Sequence, residues 1–234
     1  MTMAASVSGI WAIVPIKRLD HSKRRLSDML DPLERCELAW AMVRDVLDTL
    51  SVVQSLGGIL VVTNDPQAAG YARARGAVTL ADTREAGTNE AVRAGMAWLM
   101  DRGAAGAIVV PGDIPFAGED EFSMVLAKLG THPVVLVPAA RDGGTNVLAI
   151  APLGAIAVAY GENSFARHLA AAQEAGIGAH VLRLEGAGHD IDVSGDLFID
   201  AGQGRAVRTR TWLKRIARPT PAAPGTELCK EIFQ

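Results

Sequence analysis

Three aspartates stand where this sequence could hold a hard cation. The run Ile108-Val109-Val110 drives into Pro111-Gly112 and ends on Asp113, followed by Ile114-Pro115. Branched apolar residues bounded by turn residues read as a strand buried on both faces of a parallel sheet. In open α/β sheets, ligands bind outside the carboxyl ends of the strands, which is where Asp113 falls. A carboxylate there suits a divalent cation, or else Asp113 only shapes a turn, as Asp and Gly commonly do. His189-Asp190-Ile191-Asp192 supplies two more carboxylates. Strand alternation turns Asp190 and Asp192 to one side, where both could face one cation; a plain surface strand has the same pattern.

Anion-binding groups accompany them. Lys17, Lys23 and Arg25 crowd the loop after the first apolar run, where such sheets usually meet phosphorylated ligands. Lysine acts on phosphate as a point charge and arginine can grip two oxygens, although a solvated basic loop reads the same way. No Gly-x-Gly-x-x-Gly or P-loop follows that run, which argues against a Rossmann or P-loop site. Arg141-Asp142-Gly143-Gly144-Thr145-Asn146 is either a good hairpin turn or a loop whose amides and Thr145 hydroxyl approach an anion. Gly161-Glu162-Asn163-Ser164 opens a helix, with Ser164 expected as its N-cap. That helix start is either an ordinary cap or an anion site.

The elements that must position these residues follow from periodicity. Ile10 to Pro15 reads as the first strand. Asp31-Pro32-Leu33-Glu34 carries an N-cap, a proline at the first helical position and a capping box. Cys36, Ala39, Val43, Val46, Leu47 and Leu50 then recur at helical spacing. Gly57-Gly58 is expected to break the pattern before a strand over Ile59 to Thr63. A helix from Asn64-Asp65-Pro66 and a strand from Ala77 to Leu80 follow. A helix capped by Thr88 runs through Val92, Met96 and Leu99. Further expectations are a helix over Asp120 to Leu129 and strands at Val134 to Pro138, Asn146 to Ile150 and His180 to Leu184. The basic helix over Arg205 to Arg218 should bury Val207, Trp212, Leu213 and Ile216. Alternating strands and helices mean an α/β fold with a covered, mostly parallel sheet. The stretch after Gly144 reads as pairing back antiparallel, so the sheet is mixed. One domain over residues 1–217 and a proline-containing tail over 218–234 complete the expected organisation.

Bulk properties narrow the partners. A chain of 234 residues, 49% hydrophobic and 21% charged, is an ordinary globular protein. A net charge of −3 gives no electrostatic footprint for nucleic acid. Two distant cysteines, Cys36 and Cys229, suit a reducing cytoplasm. No apolar run is long enough to span a bilayer and no signal peptide is read.

In this order the motifs resemble one family closely, the phospholactate and phosphoenolpyruvate guanylyltransferases that prepare the deazaflavin coenzyme factor 420. Pro15-Ile16-Lys17 with Lys23 and Arg25-Leu26 is similar to that family's opening. So are Asp113-Ile114-Pro115, Gly143 to Asn146, Gly161 with Ser164-Phe165, and Asp190 to Asp192 with Asp196-Leu197. The resemblance covers roughly residues 10 to 200, with Gly87-Thr88-Asn89 where the family often has Gly-Leu-Asn, and Tyr160 where it often has Phe. It implies a three-layer sheet of the nucleotide-diphospho-sugar transferase type, and GTP with one or two Mg²⁺ ions. The second substrate would be 2-phospholactate, phosphoenolpyruvate or 3-phosphoglycerate. It also implies roles: Asp113, Asp190 and Asp192 on metal; Lys17, Lys23, Arg25 and Asn89 on the nucleotide; Thr145, Gly161 and Ser164 on the acid. The first three cations would also be catalytic, neutralising the triphosphate. Two rivals are a nucleotidyltransferase of the same fold acting on a sugar or cofactor phosphate, and a non-catalytic nucleotide-binding protein.

Overall fold

The computed structural model describes residues 8–82, 86–198 and 205–217. Its centre is a seven-stranded sheet built from β1 (Ile10–Ile16), β2 (Leu56–Thr63), β3 (Val78–Leu80), β4 (Gly106–Val109), β5 (Val134–Pro138), β6 (Thr145–Ile150) and β7 (Ala179–Val181). The spatial order is β3-β2-β1-β4-β6-β5-β7. Only β6 runs antiparallel to its neighbours, β4 and β5; the remaining pairs are parallel. The sheet is therefore mixed and mostly parallel, as the sequence implied. The carboxyl ends of β1 and β4 lie side by side at one edge.

Alternation along the strands feeds two cores. Ala12, Val14, Val61, Ile108, Val135 and Val147 face one side. There they meet α1 (Pro32–Val52), α2 (Pro66–Arg73), α4 (Glu119–Leu129) and α6 (Val207–Ile216). Ile13, Leu60, Val62, Val109, Leu136 and Leu148 face the other, under α3 (Thr88–Met100) and α5 (Ser164–Glu174). Each fully buried Leu or Ile contributes about 1.5–3 kcal/mol, which makes the strand ends at the site edge rigid supports.

Helix α1 starts as its capping box dictates: the Glu34 N–H donates to Asp31 Oδ1, and the Asp31 N–H donates to Glu34 Oε2, both at 2.9 Å. The start of α6 is satisfied from elsewhere. Asp45 of α1 is buried and accepts the Thr209 N–H at 2.8 Å and the Arg208 N–H at 3.2 Å, a carboxylate at a helix N-terminus.

Four local expectations are corrected. Gly57-Gly58 does not interrupt β2, because a side chain at either position would collide with Ser8 or the Trp11 ring. The glycines are a packing requirement inside a strand. Gly87, at φ 96°, precedes α3 as its N-cap, and Thr88 is already helical. β7 ends at Val181, short of Leu184. Val207 is exposed, so α6 buries a narrower face centred on Trp212. The expected tail, residues 218–234, lies outside the described residues.

Candidate active site

Beyond β4, Val110 still pairs with β1, its N–H donating to the Ile13 carbonyl at 2.9 Å. Pro111-Gly112 then turns the chain over α1. A Cβ on Gly112 would lie 3.0 Å from Val43 Cγ2, so a larger residue would have to push that side chain aside. Asp113 follows. Its carbonyl accepts the Ile191 N–H at 3.1 Å, which docks the second acidic segment on the first. Residues 189–192 are not a strand. Asp190 and Asp192 nevertheless share a side, because the Ile191 side chain between them is buried in the core. The Asp190 carboxylate is further held by Asn146 Nδ2, at 3.4 Å, which also donates to the Ala187 carbonyl at 3.1 Å.

Two of the three carboxylates, Asp113 and Asp192, meet on Lys23, and Asp190 adds its charge from nearby. The lysine Nζ lies 2.7 Å from Asp113 Oδ2 and 3.5 Å from Asp192 Oδ1, and its side chain is only 7% exposed. Burial works to lower the Lys23 pKa. The charge and hydrogen bond of Asp113, with Asp192 and Asp190, carry it above its ordinary value instead. Asp190 is pushed the opposite way for a carboxylate: burial first, then Asp113, raise its pKa. Lys23 sits in the left-handed region at φ 53°, a conformation costly for a residue with a Cβ and found where structure over-determines the backbone. Among the described residues, no three carboxylates, histidines or cysteines are drawn together tightly enough to hold a metal ion as they stand. What draws Asp113 and Asp192 together here is the Lys23 ammonium, while Asp190 is held by Asn146.

A cleft of about 540 Å³ opens beside this group. Its lining includes Lys17, Arg18, Lys23 and Arg24 of the basic loop, Gly87 and Thr88 at the start of α3, and Asp113 and Asp192. The basic loop is pinned by Asp65, the N-cap of α2, whose Oδ2 accepts the Leu19 N–H at 3.1 Å. Of the expected cations, Lys17 is exposed on the cleft wall and Lys23 is in the carboxylate cluster. Arg25 lies outside the cleft lining and pairs with Asp192 Oδ2 at 2.9 Å; Arg24 takes the wall position beside it.

Asn89 does not reach the cleft. Its Nδ2 donates to the Tyr160 carbonyl at 3.0 Å and its Oδ1 accepts the Tyr160 N–H at 2.7 Å. Both ends of the amide are spent bracing the residue before Gly161.

Thr145 and Ser164 form a separate buried group. The register shift between β5 and β6 at Pro138 and Thr145 breaks the alternation. Thr145 consequently turns to α5 while Asn146 turns to the 187–190 loop. Ser164 is not the N-cap of α5. Asn163, left-handed at φ 52°, precedes the helix without a side-chain cap bond. Ser164 Oγ instead accepts the Thr145 N–H at 2.9 Å. The amides of Ser164 and Phe165 donate to the carbonyls of Gly161 and Gly143, both at 3.1 Å, so the first turn is tied to the glycine loops. Gly161, at φ 116°, occupies the bend that this requires.

Three residues to which sequence reasoning gave no role, Asp196 among the matched motifs and Glu121 and His168 outside them, organise the site. Glu121, buried in α4, accepts the N–H groups of Gly118, Gly186 and Ala187 at 3.1, 2.9 and 3.0 Å, fixing the loop that carries Asp190. Asp196, 1% exposed, accepts the N–H groups of Asp192 and Val193, both at 2.9 Å, and an ion pair from Arg141. His168 is fully buried against Thr145. Glu121 supplies only the glutamate half of a capping box, because Gly118 has no side chain, and nothing in the sequence announced the long-range partners of these residues.

Comparison with known proteins bears on the family and the fold. The family described as guanylyl transferase CofC like matches residues 10–228. A phosphoenolpyruvate guanylyltransferase of Sphaerobacter thermophilus is 36% identical over 82% of this chain and 92% of its own length. A 2-phospho-L-lactate guanylyltransferase of Methanothermobacter thermautotrophicus is 30% identical over 92% of this chain and 95% of its own. Among solved structures, a chain from Desulfovibrio desulfuricans G20 described as a nucleotide-diphospho-sugar transferase matches 82% of this chain and 85% of its own, with a TM-score of 0.64 at 16% identity. Rv0371c of Mycobacterium tuberculosis, solved in complex with manganese, matches 90% of this chain and all of its own, with a TM-score of 0.51 at 15% identity. The sheet is thus of the nucleotide-diphospho-sugar transferase type, and the chain belongs to the CofC-like guanylyl transferase family.

Proposed function

We propose that this protein couples GTP to a small phosphorylated carboxylic acid, phosphoenolpyruvate, 2-phospholactate or 3-phosphoglycerate, and releases pyrophosphate, as a step toward coenzyme factor 420. The observation that carries the reading is the meeting of Asp113 and Asp192 on one cation beside a cleft lined with cations, with the Asp190 charge close by. A phosphate oxygen of the acid attacks the α-phosphorus of GTP. The bond from that phosphorus to the bridging oxygen breaks, and the electron pair leaves with pyrophosphate. A phosphomonoester has a second pKa of about 6, so its oxygen is already anionic near neutrality and needs no general base. The task is to bring anions together, which positioning and charge neutralisation accomplish.

Each set of residues then has a role. Asp113, Asp190 and Asp192 would hold one or two Mg²⁺ ions, which supply positive charge between the reacting phosphates. Lys17, Arg24 and a released Lys23 neutralise the triphosphate, with Arg25 supporting Asp192. Thr145, Gly161 and Ser164 form the acid site, and Asn89 braces it without touching the nucleotide. Among the described residues no helix is long and apolar enough to cross a membrane. A cytoplasmic enzyme of one domain through residue 217, with no nucleic-acid partner, fits that composition.

The test is pyrophosphate release with GTP and each acid in turn, with Mg²⁺ present. Release with at least one acid and GTP, and not with a sugar phosphate, is the expected result. Release only with a sugar phosphate or a cofactor precursor would replace this reading by the sugar-nucleotide alternative.

A further inference from the structure

Thr145, Ser164 and His168 are 7%, 2% and 0% exposed, and two hydrogen bonds tie them together, one through the Thr145 hydroxyl and one through its backbone amide. The Ala159 N–H donates to His168 Nε2 at 2.9 Å. A ring nitrogen that accepts carries no proton, so the proton of a neutral imidazole is on Nδ1. Nδ1 lies 3.0 Å from Thr145 Oγ1, and it is therefore Nδ1–H that donates to the hydroxyl. The Thr145 N–H in turn donates to Ser164 Oγ at 2.9 Å. Each hydroxyl thus already accepts a bond, and among the described residues neither hydroxyl proton has an acceptor. What both have left to offer is an O–H donor. The Tyr160 ring packs edge-on against His168 with centroids 5.1 Å apart. Asn89 clamps the Tyr160 backbone from both sides, so the histidine has a fixed wall. Burial, with the Arg167 charge, pushes the imidazole pKa down to about 4, which keeps the ring neutral at physiological pH.

We infer that His168 is a positioning residue of the acid site, holding the Thr145 hydroxyl as a hydrogen-bond donor that favours the acceptor-only oxygens of an ionised phosphate or carboxylate. This rests on the reading of Thr145 and Ser164 as acid-site residues. His168 touches no substrate itself. Its contribution is to settle which way the hydroxyl proton points before the acid arrives, so less ordering is left for the binding step.

The discriminating experiment compares His168→Leu with His168→Asn in the full chain, with phosphoenolpyruvate or 2-phospholactate varied at saturating GTP. Leucine removes the donor, whereas the asparagine amide presents an N–H close to where Nδ1–H stands. In the leucine variant, KM for the acid should rise about tenfold, equivalent to about 1.4 kcal/mol. KM for GTP and kcat should stay within about twofold, and asparagine should recover most of the acid affinity. Parallel losses in both KM values and kcat, with asparagine no better than leucine, would reduce His168 to a core residue and overturn the inference. An unchanged KM for the acid in an active leucine variant would do the same. Should leucine prevent folding, the asparagine variant and the ring nitrogens of the wild type carry the test. Long-range ¹H–¹⁵N spectra at neutral pH should show the Nδ1–H tautomer, and an Nε2–H ring or an imidazolium would overturn the assignment. Wild-type protein that releases no pyrophosphate with phosphoenolpyruvate, 2-phospholactate or 3-phosphoglycerate would sink the functional reading, and the acid-site role with it, as a result separate from the tautomer.

Discussion

Lys23 Nζ lies 2.7 Å from Asp113 Oδ2, across ninety positions of sequence, with Asp192 Oδ1 at 3.5 Å on the same ammonium. A divalent cation seated between these two oxygens would compete with the ammonium, and a displaced Nζ would be left beside the cation-lined cleft, where a triphosphate could take it up. Lys23→Met is expected to bind Mn²⁺ about tenfold more tightly in the absence of nucleotide, the equivalent of about 1.4 kcal/mol. The same variant should turn over GTP more slowly. Calorimetric titration with Mn²⁺ alone decides it, and weaker Mn²⁺ binding in the variant would contradict the competition.

The carboxylates separate activity from stability. Asp113→Asn, Asp190→Asn and Asp192→Asn should each lower kcat by at least about a hundredfold, near 2.7 kcal/mol of transition-state stabilisation. EDTA should abolish wild-type turnover and Mg²⁺ restore it. The variants should differ in melting temperature without metal. Asp113→Asn removes the main partner of a buried lysine and should melt lower. Asp190→Asn removes a carboxylate whose pKa is raised by burial and by Asp113, so its ionised form is disfavoured by the fold and the variant should melt no lower than wild type. Near-normal turnover of Asp113→Asn at limiting Mg²⁺ would remove this residue from the metal set.

Ser164 is predicted to matter through the Thr145 amide. Ser164→Ala leaves a buried N–H without its acceptor, at a cost of about 1–3 kcal/mol. It should also raise KM for the acid more than KM for GTP. Hydrogen exchange at the Thr145 amide should accelerate, while amides at the start of α5, held by the Gly161 and Gly143 carbonyls, keep their protection. Loss of protection at the start of α5 instead would restore the N-cap role expected from sequence.

His168 gives stability a defined pH dependence. The imidazole sits at about 4 in the folded protein against an ordinary value of 6.5. Between those values the unfolded chain binds a proton that the folded chain refuses. Stability present above pH 6.5 is therefore lost as pH falls toward 4, by on the order of 3 kcal/mol at the acid end. Denaturant unfolding from pH 7 to 4 should show the decline, and His168→Asn should flatten that limb. An equally steep decline in the variant would assign it to other groups.

Glu121→Gln should weaken metal binding from a distance. The carboxylate accepts three N–H groups, on both oxygens. An amide must turn its NH₂ toward one set of them, leaving donors facing donors at about 1–3 kcal/mol. The 186–187 backbone should slacken, and the Mn²⁺ titration should shift to weaker binding with the three aspartates intact. Unchanged Mn²⁺ affinity in a destabilised Glu121→Gln would confine this residue to folding.

What the sequence determined by itself was whatever short-range chemistry decides. The capping box of Asp31 and Glu34 formed as written, because its partners are three residues apart. The branched runs became buried strands in a mixed sheet, since two-residue alternation and turn residues are local properties. The order of motifs was enough to place the chain in its family. Contacts between distant segments were decided only in three dimensions. Gly57-Gly58 reads as a break until the Trp11 ring is laid across it. Asp190 and Asp192 share a side because Ile191 is buried and its N–H is held by the Asp113 carbonyl, in a segment that is not a strand. Ser164 looked like a cap because serine commonly is one, yet the nearby Thr145 amide claimed its hydroxyl. One register shift sent Thr145 to His168 and Asn146 toward Asp190. A hydrogen bond or ion pair between residues tens of positions apart has no periodicity to betray it. Such bonds set the direction of every donor in this site.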